Sequence, residues 1–71
     1  MAQSEAQIQG IVQAAKTMLE QLGISGDVNW RSGDIAINVK NASAKQKAQL
    51  TARSYVFVMT HGVVVVIVNY L

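Results

Sequence analysis

The closing stretch Val63 to Leu71 constrains this 71-residue chain more than any other feature. Nearly all of it is β-branched and apolar, a composition that fits a pleated strand. Side chains of a strand alternate between faces, so Val63, Val65, Ile67 and Leu71 point one way and Val64, Val66, Val68 and Tyr70 the other. Both faces therefore need cover. A chain of this length forms one domain, residues 1–71, with a thin stability margin that small domains commonly reinforce with disulfides, a metal or a partner chain. With no Cys and His61 as the sole imidazole, neither a disulfide framework nor a tetrahedral zinc site can be assembled. Association with a partner chain is the reinforcement left.

Membrane insertion is a competing use of such a segment. Thr60, His61, Gly62 and Asn69 interrupt Tyr55 to Leu71, which is also shorter than a usual span, so a buried strand is expected and not a transmembrane one. No basic segment followed by an apolar run opens the sequence, which reads without a signal peptide.

The rest of the chain supplies the cover. Ser4 and Gln7 have capping-box spacing, and Ile8, Ile11, Val12, Ala15, Leu19 and Leu22 recur at three- and four-residue steps, which predicts a helix over Glu5–Leu22 closed by Gly23, with Ile24 packing back. Asp27–Arg31 and Asp34–Lys40 alternate around Ser32 and Gly33, with Val28 and Trp30 and then Ile35, Ile37 and Val39 as apolar faces: a β-hairpin. Ser43 and Gln46 repeat the capping box before a run of good helix formers. Ala44, Ala48, Thr51, Ala52, Tyr55 and Met59 share one side at 100° per residue, so the second helix is expected to continue toward Thr60 with that side inward. The alternative is a second hairpin turning at His61 and Gly62. The order αββαβ predicts an α+β fold, a three-stranded mixed sheet with two helices on one face. Those helices cover only one side of the last strand, which leaves Val64, Val66, Val68 and Tyr70 on the open sheet face as a self-association surface. A late start to the strand, or shielding by neighbouring side chains, would remove that surface.

Charge is unevenly placed. Through Asp34 the chain holds Glu5, Glu20, Asp27 and Asp34 against Lys16 and Arg31; from Ile35 onward Lys40, Lys45, Lys47 and Arg53 stand without an acid. That bias favours an anionic partner. It is too small a footprint, and too poor in aromatics, for a nucleic-acid binder. Gly23 to Gly26 has the letters of a nucleic-acid-binding GXXG loop but leads into a strand, as a helix cap and turn would. On the second helix Lys45, Gln49 and Arg53 share a face with Leu50 and Phe57 beside them, so Lys40, Lys45, Lys47, Arg53 and Phe57 are candidates for contact with an anionic membrane surface, the ring inserting shallowly. An ordinary solvated face is the plainer account of the same pattern. His61 lacks a nucleophile and an orienting group, and the four acids are dispersed, so no catalytic residue, metal site or cofactor is expected.

In this order of elements, DVNWRSGDIAINV, SAKQKAQLTARS and HGVVVVIVNYL, spanning Asp27 to Leu71, resemble a BON domain, the small bacterial module of osmotic-stress and nodulation proteins. The ring-building motif of secretion and sporulation assemblies is similar in the same way. BON domains usually carry a Gly after the second strand, where this chain reads Val39, Lys40 and Asn41, and the closing segment is one residue long for the pattern. The first resemblance implies a module that binds anionic phospholipid or a protein partner in the cell envelope, periplasm or cytoplasm; the second implies side-by-side packing into rings. Neither implies catalysis. The expected partners are a second copy of the chain or another protein, with anionic lipid as a further target.

Overall fold

The computed structural model of the protein describes residues 4–63 and 65–71. Helix α1, Glu5–Gln21, opens on the expected capping box: the Gln7 N–H donates to the Ser4 hydroxyl at 3.2 Å and the Ser4 N–H to the Gln7 side-chain carbonyl at 2.9 Å. It closes in a Schellman turn, with the Gly23 N–H on the Glu20 carbonyl and the Ile24 N–H on the Leu19 carbonyl, while Leu19 and Ile24 join the core. Strand β1, Ser25–Arg31, begins two residues earlier than the alternation indicated, and β2 is Asp34–Lys40. Ser32 (φ 51°) and Gly33 (φ 101°) between them both take positive φ, the geometry whose twist matches that of the flanking strands.

After β2, Asn41 adopts φ 57°. The left-handed turn that a Gly would make here falls to Asn, one of the few other residues that visit that region. Helix α2, Ala44–His61, then starts on the Ser43–Gln46 capping box and ends at Gly62, left-handed at φ 68°. The helix therefore runs through Thr60, and the second-hairpin alternative is not adopted. Strand β3, Val66–Tyr70, starts later than the expected Val63. Main-chain bonds from Ile35 N–H to the Val65 carbonyl (3.1 Å) and from Leu71 N–H to the Val39 carbonyl (2.9 Å) extend its ladder at both ends.

The sheet has the order β1-β2-β3. β1 and β2 are antiparallel, with Val28 opposite Ile37 and Trp30 opposite Ile35. β2 and β3 are parallel, with Ile35, Ile37 and Val39 beside Val66, Val68 and Tyr70, as a crossover through a helix requires. Both helices lie on one face, where Ile11, Ala15, Met18 and Leu19 of α1 and Leu50 and Phe57 of α2 pack on Val28, Ile35, Ile37 and Val39. Ile35, Ile37, Val39 and Leu50 are fully enclosed, each contributing roughly 1.5–3 kcal/mol by burial. The architecture is the α+β arrangement expected from the element order.

Candidate assembly surface along the β3 edge

In a strand the N–H and C=O of one residue point toward the same neighbour, and those of the next residue point the opposite way. Because the Val65 carbonyl and the Leu71 N–H bond to β2, the odd-numbered residues of β3 face inward across the ladder. Val66, Val68 and Tyr70 therefore aim their N–H and C=O groups outward, along an edge of the sheet. Such an edge is a template for another strand, and proteins ordinarily blunt one with charge, Pro or a bulge. The opposite edge strand, β1, carries Asp27 and Arg31. Val65 to Leu71 has no acidic or basic side chain and no Pro.

Apolar side chains flank this edge above and below. On the helix side, Tyr55, Val58 and Met59 of α2 stand across an open groove of about 480 Å³ from Val66, Val68 and Tyr70. On the helix-free side lie Val65, Ile67 and Leu71, all exposed. Apart from the buried Ala36, the rest of that face is polar: Asp27, Asn38 and Asn69 form a row across the three strands, and the Asn69 amide donates to the Asn38 side-chain carbonyl at 3.1 Å. Apart from Val56 on the α1 side of α2, the large exposed apolar side chains among the described residues are thus gathered on the β3 rim and not spread over the open face.

This placement corrects the assignment of faces made from the sequence. Val66, Val68 and Tyr70 are in register with the core residues Ile35, Ile37 and Val39, so they stand on the helix side of the sheet, not on the open face. Val64, which was expected among them, lies outside the described residues. A strand apolar on both faces contains no parity signal, and its facing was decided by the register against β2.

The second correction concerns α2. Phe57 is 6% exposed and Leu50 is fully enclosed, whereas Tyr55 is 71% and Met59 84% exposed. The helix is turned so that Leu50, Ser54, Phe57 and His61 face inward, and Phe57 cannot insert into a membrane beside the basic side chains. Its ring packs on His61, with centroids 4.4 Å apart. Both stripes carry large apolar side chains, and packing against α1 and the sheet selects the one through Leu50 and Phe57.

The four cations separate into two places. Arg53 donates to the Gln21 side-chain carbonyl at 2.7 Å and ties α2 to α1. Lys40 ends β2 and Lys45 and Lys47 lie in the first turn of α2, so these three stand at one end of the molecule. The Lys47 ammonium sits 4.9 Å from the Tyr70 ring centroid, a cation–π contact at the end of the β3 edge. Tyr55, Met59, Val65, Ile67 and Leu71 are the surface residues that sequence reasoning missed. Sequence reasoning places Tyr55 and Met59 on the inward side of α2, and Val65, Ile67 and Leu71 on the parity of β3 opposite the open face.

Among the described residues, no helix is long and apolar enough to cross a membrane. Comparison with family models, characterised proteins and solved structures gives no match for this chain.

Proposed function

We propose that this chain is a non-catalytic, BON-like assembly module that self-associates along the β3 edge. The observation that carries the reading is the uncharged, outward-pointing main chain of Val66, Val68 and Tyr70, flanked by exposed apolar groups on both sides. Pairing with another strand satisfies those peptide groups, and burying the flanking side chains contributes about 25 cal/mol per Å² of apolar area. Among the described residues no three His, Cys, Asp or Glu side chains gather as a metal site would need, and the His61 ring packs on Phe57. Light-scattering mass measured across a range of concentrations tests the reading. The expected result is a mass that rises above that of one 7.7 kDa chain; a single-chain mass at every concentration would overturn it.

The grouping of Lys40, Lys45 and Lys47 at one end, in a half-chain without acids, favours a second reading in which the module also meets an anionic phospholipid surface through charge alone. Sedimentation with anionic and neutral vesicles tests it. Binding only to anionic vesicles, weakened by salt, is expected; equal binding to both, or to neither, removes the lipid contact.

A further inference from the structure

The edge geometry specifies the partner and the register, and this inference rests on the assembly reading above. We infer that the partner is a second copy of this chain, paired β3 to β3 antiparallel about a two-fold axis through Val68. The outward-bonding residues Val66, Val68 and Tyr70 are centred on Val68. Placing Val68 opposite itself sets Val66 opposite the partner's Tyr70 and pairs every outward peptide group of β3 with one of the partner's β3. Residues directly opposite in an antiparallel pair share a face, so both copies keep their helices on the same side of one continuous six-stranded sheet. The two grooves between α2 and β3 then open toward each other across the axis, and Tyr55 and Met59 of each copy gain cover.

Charge selects this arrangement. Lys40 and Lys47 lie at the Tyr70 end of the strand. Antiparallel pairing sends the two Tyr70 ends apart by about 14 Å along the strand, beyond the Debye length of roughly 8 Å at physiological salt. Parallel pairing would bring the lysines of both copies together. Pairing β3 with β1 of the next copy, as an open chain or ring would, sets the apolar rim residues of the helix-free side against Asp27 and Arg31.

Area is consistent with a stable pair. A specific interface needs roughly 800 Å² per partner, about a sixth of this chain's 4611 Å². Tyr55, Met59, Val65, Ile67, Tyr70 and Leu71, at 39–84% exposure, each present on the order of 100 Å², and the β3 main chain adds to them.

The absence of Cys from the chain makes the register directly readable. Opposed residues of a hydrogen-bonded antiparallel pair have Cα atoms about 5.5 Å apart, within disulfide reach, whereas the two copies of Val66, or of Tyr70, would be about 14 Å apart. Under mild oxidation V68C alone should form a covalent dimer, at least roughly tenfold more than V66C or Y70C alone, and an equimolar mixture of V66C and Y70C should cross-link as V68C does. Each variant's circular dichroism and mass are read alongside. Failure of V68C to cross-link while the mass of the native chain still rises overturns the two-fold register and leaves the assembly reading standing. Self-linking of V66C or Y70C as readily as V68C also overturns the register. A native chain that stays at single-chain mass removes the assembly reading, and this inference with it.

Discussion

Gly10 and Gly26 meet opposite demands, and alanine at the two positions should change stability in opposite directions. Gly10 sits in the interior of α1 on its exposed side, and a methyl group there would touch nothing. G10A should stabilise the fold by about 0.5–1 kcal/mol, because Gly loses more main-chain freedom in a helix than Ala does. Gly26 pairs with Val39 in the hairpin, and a methyl group there would overlap the Asn38 carbonyl oxygen. G26A forces the main chains apart and should cost about 1–3 kcal/mol. Urea titration of both variants checks this: the midpoint should rise for G10A and fall for G26A, with little change in slope. The demand on Gly26 was not legible in the sequence, where Gly23 to Gly26 has the composition of a turn. Ser4, Gln7, Gly23 and Ser43 were legible, since each acts on main-chain groups within a few residues of itself, whereas Gly62, read from the sequence only as the turn of the alternative hairpin, proves to end α2.

α2 shows how far local pattern reaches at the scale of an element. Its start was fixed by the Ser43–Gln46 box, but Gln46 does more than cap. Its carbonyl accepts from the Ser43 N–H at 2.9 Å, while its amide donates to the Leu22 and Gly23 carbonyls at 3.3 and 3.1 Å, joining the start of α2 to the end of α1. Q46A should therefore cost about 1–2 kcal/mol, seen as a fall in melting temperature of about 4–8 °C per kcal/mol. Q46E separates the two roles: it keeps the capping acceptor but turns a carboxylate toward two carbonyl oxygens. It should cost at least as much as Q46A, whereas a neutral or stabilising Q46E would show that capping alone matters. The facing of α2 was less legible than its limits. It has one stripe through Leu50 and Phe57 and another through Tyr55 and Met59, and only contact with α1 and the sheet selects between them.

At the scale of the whole molecule, the element order was sufficient to predict the sheet and the side on which the helices lie. That order leaves few ways to cover a hairpin and a parallel third strand. The candidate surface was only half legible. A greasy closing strand in a small chain without staples pointed to association, but the open face proved largely polar and the exposed apolar groups gathered on one rim. The difference arises because a three-stranded sheet has two edges as well as two faces. If the mass rises with concentration as expected, unfolding will be linked to dissociation, and the melting temperature will rise with concentration as well.

Main-chain bonding to β2 and the cover of α2 have one further consequence for the segment Val65 to Leu71. Freed from them in an unfolded molecule, this run of high β-propensity, without Pro or a charged side chain, has the composition of a steric zipper and is suited to stacking into cross-β fibrils. Native docking of the segment therefore acts as a safeguard, and substitutions that loosen the fold should increase fibril formation in proportion to the population of unfolded chains.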